Sequence, residues 1–265
     1  MMIGKRGAAT TAISAAKADR VTVRGRDLAG DLMGGVNFTE FFFLLCTGRA
    51  PTENQRFFLD LALIGIAEHG LTPSIQAARM TYAADPAALQ GAVAAGVLGC
   101  GTVILGAADL CRKLIEDILA GVDAGAALPE AALARARALR EARQSVPGYG
   151  HPLHKPLDPR AERMIALAEA RGAAGGAVAA AREMTTAVAQ VWGKPLPMNV
   201  SMAIAATLMD VGAPASLVRG IPILARTAGL IAHLGEEAEV PIGFLLAAKG
   251  EEAIEHTAER SGAPA

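Results

Sequence analysis

Between Asp85 and Asp109 the chain runs for 23 residues without a charge, PAALQGAVAAGVLGCGTVILGAA from Pro86 to Ala108. As a helix, a stretch of that length would reach across a bilayer core. It holds five glycines and seven alanines, however, and lacks the aromatic or basic flanks of a membrane span. The other way to remove it from water is a central helix, or broken helix, buried on all sides by other helices. Its small residues let neighbouring backbones approach closely, which suits a dense helical core or a subunit contact. The segment therefore predicts a helical protein with no membrane partner.

The remaining composition agrees. Hydrophobic residues make up 52% of the 265, charged residues 19% and aromatics only 4%. Alanine and leucine supply most of the apolar content, which favours packed helices over a β-sandwich. A net charge of -1 offers no field for nucleic acid. The start, MMIGKRGAATT, has no apolar stretch of the kind a secretory signal needs, so a cytoplasmic location is expected. Cys46, Cys100 and Cys111 are odd in number, far apart and in apolar contexts. They are expected to be reduced and buried, with no disulfide framework and no zinc site.

Punctuation along the chain divides it into helices, giving an all-α fold. Residues 21–31 read as an extended or turn segment, and Asn37 caps a helix that Gly48 stops. Further helices are expected from Pro51 to His69, after Thr72 or Ser74, through Leu119, and from Pro129 to Arg143. Past a loop come helices starting at Asp158-Pro159, over 176–192, from Asn199 to Val211, from Pro214 to Leu234 with a kink near Pro222, and over Ala247–Arg260.

The loop is SVPGYGHPLHKPLDPR, residues 145–160, with four prolines, two glycines and two of the five histidines. Gly148 and Gly150 allow unusual backbone angles while Pro147 and Pro152 remove freedom, so the loop is built to hold His151 in place. His154 and His233 read as surface or supporting residues and His256 as surface. His69, at a helix end in AEHG, suits acid–base work but also suits the helix dipole there. Arg160 follows Asp158-Pro159 at a helix start, where it wants an anion, either Asp158 or a ligand carboxylate. Arg226 lies in the apolar run IPILARTAGLIAHL and must meet either a structural acid or an anionic ligand. No P-loop, dinucleotide fingerprint, G-x-S-x-G elbow or H-E-x-x-H motif is present, and Glu68-His69 alone makes no metal site. Two histidines and two arginines on separate elements suit an acidic small molecule.

These motifs, in this order, resemble the citrate synthase superfamily, particularly its short members and the citryl-CoA lyase module of ATP-citrate lyase. The resemblance runs from about Arg24 to Phe244. VPGYGH with DPR resembles the family's catalytic-histidine loop and substrate-carboxylate arginine; AEHGLTPS resembles a helix end carrying a substrate-binding histidine. LPMNVSMAIA resembles the P-N-V-D segment, and LARTAGLIAHL the helix of a second carboxylate-binding arginine. The resemblance implies a large helical domain from residues 1–140 and 200–265, and a small domain, 141–199, carrying the loop. It implies that His69 and His151 meet the oxygen-rich half of the substrate. Arg160, Arg226 and Asn199 would bind its carboxylate side, and Pro147, Gly148, Tyr149 and Gly150 would lie beside coenzyme A. No permanent cofactor and no metal are implied; coenzyme A arrives as part of the substrate. The partners would be acyl-CoA and di- or tricarboxylates, and the assembly a homodimer or higher homo-oligomer.

Departures narrow the chemistry. Ile104 stands where synthases carry the histidine of G-P-L-H-G, a residue that ATP-citrate lyase modules also lack. Ser201 replaces the acid/base aspartate of N-V-D, and GEEAEVPIGF has no match to the arginine a partner subunit supplies. A citryl-CoA lyase-type enzyme, cleaving citryl-CoA or a related 3-hydroxy-3-carboxylated acyl-CoA to acetyl-CoA and a keto acid, is the leading expectation. The alternatives are a non-catalytic acyl-CoA-binding or regulatory paralogue, and a citrate or 2-methylcitrate synthase.

Overall fold

The computed structural model describes residues 9–255, the side chain of Val103 excepted. The expectations for the first eight residues and for His256 lie outside the described residues. Three short antiparallel strands, β1 (Ser14–Ala16), β2 (Val21–Val23) and β3 (Arg26–Asp27), form a small sheet. A single π-turn over Leu28–Leu32 leads from it into the helices.

Eleven α-helices follow among the described residues. Asn37 and Glu40 close a reciprocal cap on α1 (Phe38–Thr47), and Thr52 with Gln55 does the same for α2 (Glu53–Ala67). Next come α3 (Pro73–Ala84), α4 (Leu89–Leu105), α5 (Ala107–Asp123) and α6 (Leu128–Glu141). After the proline-rich loop, Asp158 caps α7 (Pro159–Ala170) and precedes α8 (Gly176–Trp192). The carboxylate of Asp210 accepts from the backbone N–H groups of Gly175, Ala177 and Val178, which seats the start of α8 on the end of α9 (Val200–Asp210). Helix α10 (Ala215–Glu239) runs through Pro222 without a break, and α11 (Gly243–Ala253) starts four residues earlier than its sequence suggests. That early start has a cause. The buried Glu237 accepts from the amides of Ile242 and Gly243, so a side chain of α10 fixes the first turn of α11.

The helix enclosed on all sides is α9, not α4. Val200 and every residue from Met202 to Leu208 are buried, packed among α2, α5, α7 and α8. Residues of α7 and α8, from the expected small domain, share one continuous core with Phe58, Ile115 and Ile204. Full burial of a side chain such as Phe58 or Ile115 contributes about 1.5–3 kcal/mol. Helix α4 packs on α3 and α10 along one side only, and is broken by the non-helical angles of Gly101. Its other side is open, with Leu98 79% exposed. By length and composition α4 with α5, and also α10, reach the threshold of a membrane span. Cys100 and Cys111 are buried as expected, whereas Cys46 is exposed at the end of α1.

Candidate active site

The loop after α6 is held by the segment before α9. Gly150 N donates to Pro197 O at 2.7 Å, and Asn199 N donates to Gly148 O at 2.9 Å. Tyr149 is buried, its hydroxyl donating to the carbonyl of Ala181 in α8. At Gly148 both conformation and space exclude a side chain. Its φ is +82°, and a Cβ there would sit 2.7 Å from Met202 Cβ and 2.8 Å from Cys111 Sγ. The loop is thus pressed directly onto the central helices, and His151 emerges from a fixed base.

His151 Nδ1 accepts from the amides of Leu153, at 3.1 Å, and His154, at 2.9 Å. A nitrogen receiving two N–H groups carries no proton, so the neutral ring bears its hydrogen on Nε2, at the opposite edge. The same turn brings His154 back against His69, with the two Nε2 atoms 3.1 Å apart. His69 and His151 ring centres are separated by 5.3 Å. Burial first, then the positive charge of Arg160 and repulsion from His154, hold His69 below the usual histidine value. Burial and His154 do the same to His151.

His69 and His151 border a cleft of about 430 Å³ that also receives Arg160, Asn199, Ser201, Arg226, Gly150 and Ile104. Arg160 is gripped by Asp158, fully buried, through Nε at 3.0 Å and Nη2 at 2.9 Å. Asp158 also accepts from the amides of Arg160 and Val200, each at 3.1 Å, and the second of these ties the pair to the start of α9. Arg226 is 5% exposed, and neither its Nε nor its Nη1 has a hydrogen-bond partner among the described residues. Burial depresses its pKa, and a buried guanidinium that lines a cleft with Nε and Nη1 unpartnered calls for an anion. Asn199 caps α9 through Oδ1 and donates from Nδ2 to Gly150 O, leaving it partly engaged in holding the loop.

Behind His69 lies a second layer. Arg79 of α3, 2% exposed, pairs with Glu237 and Glu236 and donates from Nη1 to His233 Nδ1 at 3.1 Å. Arginine can only donate, so His233 carries its proton on Nε2 and gives it to Glu68 Oε2 at 3.0 Å. Glu68 Oε1 in turn accepts from the amides of His69 and Gly70. Burial works against the Glu68 carboxylate, but these hydrogen bonds outweigh it and keep its pKa below the ordinary range. Gly229 of α10 completes the fit, since a Cβ there would lie 2.2 Å from the carbonyl oxygen of Ala67.

The structure therefore brings six expected residues, His69, His151, Arg160, Asn199, Ser201 and Arg226, to one cleft. Of the four loop residues, Gly150 borders that cleft and Pro147 a neighbouring one of about 640 Å³; Gly148 and Tyr149 are buried and serve the loop itself. His154 lies against His69, in keeping with the supporting rather than the surface half of its reading, and its spacing three residues after His151 in a rigid turn was the available signal. The Arg79–His233–Glu68 layer had no local signature, because its members come from three elements. The ligand atoms of His69, His151 and His154 all lie within 4.8 Å of one another, a spacing open to a metal ion. The two guanidinium groups beside them make the cleft better suited to an anion than to a cation.

Residues 8–242 match the family described as citrate synthase, C-terminal domain. The citrate synthase of Haloferax volcanii is 30% identical over 208 residues, 77% of this chain; the chain spans about half, 52%, of that relative's length. A structure of citryl-CoA lyase from Hydrogenobacter thermophilus superposes with a TM-score of 0.82 at 29% identity, covering 98% of this chain and 96% of that one. ATP citrate lyase from Methanothrix soehngenii, solved in complex with citrate and coenzyme A, superposes at 0.74 with 21% identity, covering 97% of this chain and 42% of its own.

Proposed function

The chain belongs to the citrate synthase family, and from that premise we propose that it is a citryl-CoA lyase-type enzyme, cleaving citryl-CoA or a close 3-hydroxy-3-carboxylated acyl-CoA. The observation that carries the reading is Arg226, a 5% exposed guanidinium unpartnered at Nε and Nη1 among the described residues, which lines one cleft with His69, His151 and Arg160. A ligand with carboxylates and an oxygen at the reacting carbon fits that set. The likeness to a citryl-CoA lyase over nearly the whole of both chains supports it further.

In the cleavage direction the tertiary hydroxyl loses its proton and the bond from the carbinol carbon to the thioester methylene breaks. The carbinol becomes a ketone, and the bonding electrons pass to the enolate of acetyl-CoA. His151, with Nε2–H directed away from its loop amides, donates to the oxygen as negative charge develops on it. Arg226 and Arg160 hold carboxylates of the departing keto acid. Coenzyme A then runs along the outer side of the loop, towards Pro147 and the cluster of Arg140, Arg143 and Trp192 that borders Ser145. That cluster offers cations for phosphates and an aromatic face for a base. Residues 141–199, the expected small domain, supply the loop side of the cleft. The three free cysteines suit a reducing compartment, the cytoplasm.

We further infer a homodimer joined through the open, charge-free side of α4, where Leu98 protrudes between small residues. A second reading, binding without turnover, draws on Ser201 and Ile104, which put a weak acid and an alkyl group where the family's acid–base groups are expected. Mass spectrometry of CoA species decides between them after incubation with citryl-CoA and, separately, with acetyl-CoA plus oxaloacetate. The lyase reading expects acetyl-CoA from the first mixture. Retention of both CoA esters without any conversion in either mixture favours the binding protein.

A further inference from the structure

Helix α10 carries Arg226 to the cleft and the end of α2 carries His69, so packing between the two elements sets how far apart these groups sit. Along one face of α10, Arg226, Gly229, His233 and Glu237 follow one another at helical spacing. Arg226 lines the cleft, Gly229 lies against α2, His233 bonds Glu68 and Glu237 bonds Arg79. A Cβ at Gly229 would lie 2.2 Å from Ala67 O and 3.2 Å from Glu68 Oε2, so the two elements are as close as backbones allow. Close approach alone does not fix register; the hydrogen bonds do. Arg79 of α3 is buried and anchored by Glu236 and Glu237. Its Nη1 meets His233 Nδ1 at 3.1 Å, and a guanidinium can only donate, so the partner itself settles the tautomer. His233 Nε2–H is left to donate to Glu68 Oε2 at 3.0 Å.

We propose that His233 is a positioning residue: it bridges the buried Arg79 to Glu68 and so fixes the placement of His69 relative to Arg226. This deepens the lyase reading and rests on it for the catalytic consequence. The link reaches His69 through its backbone. Glu68 Oε1 accepts from the amides of His69, at 2.8 Å, and Gly70, at 2.5 Å. The ring of His69 is hydrogen-bonded to the carbonyl of its own residue, so it turns with the backbone that Glu68 holds.

A neutral imidazole suits this place. It joins the Arg79 cation to the Glu68 anion with every donor meeting an acceptor, and it adds no charge to the helix face that bears Arg226. His233 touches no substrate in this role. It acts by holding the two sides of the oxygen-binding end of the cleft at one spacing, where a misplacement of about 1 Å can cost about a hundredfold in rate.

Two readouts test the proposal, one independent of turnover. Long-range proton–nitrogen NMR of the ligand-free protein should find His233 as the Nε2–H tautomer, and His233→Leu should shift the ring signals of His69. His233→Gln should return those signals towards wild type, because its amide accepts from Arg79 through Oε1 and donates to Glu68 through Nε2. Glutamine also lacks a ring, so the recovery reports hydrogen bonds rather than an aromatic neighbour. In citryl-CoA cleavage, His233→Leu should lower kcat by about tenfold to a hundredfold, with KM within a few-fold, and His233→Gln should recover most of it. Glu68→Gln keeps an oxygen for the His69 and Gly70 amides but sets a donor against His233, so it should cause a similar loss. The double variant His233→Leu with Glu68→Gln should be no slower than the slower single, since both break one link. A His233 found as the Nδ1–H tautomer, His69 signals unmoved in His233→Leu, or losses that multiply in the double variant would overturn the proposal. A lowered thermal midpoint with His69 signals and kcat intact would make His233 structural alone, and overturns it equally. Should the wild-type protein leave citryl-CoA intact, the lyase reading fails, and the His69 signals alone then decide whether His233 holds that residue in place.

Discussion

Arg226 concentrates the conflict between stability and ligand binding in one side chain. A buried guanidinium with Nε and Nη1 unpartnered among the described residues costs the ligand-free fold roughly 1–3 kcal/mol. Arg226→Met should therefore leave the thermal midpoint of the free protein unchanged or raise it. The same change should weaken citrate binding by about 2–5 kcal/mol, the usual loss when one member of a buried charge pair is removed. Differential scanning calorimetry and titration calorimetry read the two effects, and a midpoint that falls with affinity intact would mean that Arg226 is structural. From sequence, an arginine in an apolar helix allowed either outcome, and only the absence of an ion-pair partner among the described residues separates them. Arg160 shows the converse. Both of its candidate anions were legible, and the structure assigns Asp158 to one edge of the guanidinium, Nε and Nη2, while Nη1 makes no hydrogen bond among the described residues.

At the scale of elements, the proline-rich loop is where sequence and structure agree most closely, because its constraints are local. Prolines, φ > 0 glycines and the helix cap at Asp158 each act within a few residues of themselves. Gly148→Ala should destabilise the protein by about 1–3 kcal/mol, since the methyl group meets Met202 and Cys111 in a backbone conformation L-residues avoid. Chemical denaturation measures this, and Gly150→Ala, where nothing lies within 4 Å of the added carbon, is the control for conformation alone. A loss at position 148 no larger than at position 150 would show that the close approach does not matter. The choice of central helix was less legible. Both α4 and α9 are apolar and rich in small residues, and no local feature says which will be enclosed by the helices that arrive later in the chain.

For the whole molecule, the open side of α4 requires a covering surface, and a second copy is the one we infer. Leu98→Asp should convert the dimer to monomer in light scattering while leaving helical content by circular dichroism unchanged. A wild-type protein that is already monomeric at micromolar concentration would contradict the assignment. The general outline of the fold, and the meeting of six expected residues at one cleft, were legible because the motifs occur in order along the chain. The Arg79–His233–Glu68 layer and the His69–His154 contact were not, since each joins residues 85 or more positions apart. What the assembled cleft does is tested most directly by mixing excess protein with citryl-CoA and following a single turnover by mass spectrometry. The account predicts acetyl-CoA and oxaloacetate in equal amounts from the wild type, and at least a hundredfold slower release from His151→Ala, in keeping with the loss of an oxyanion donor. Citryl-CoA that binds and is recovered whole from the wild-type protein would contradict it.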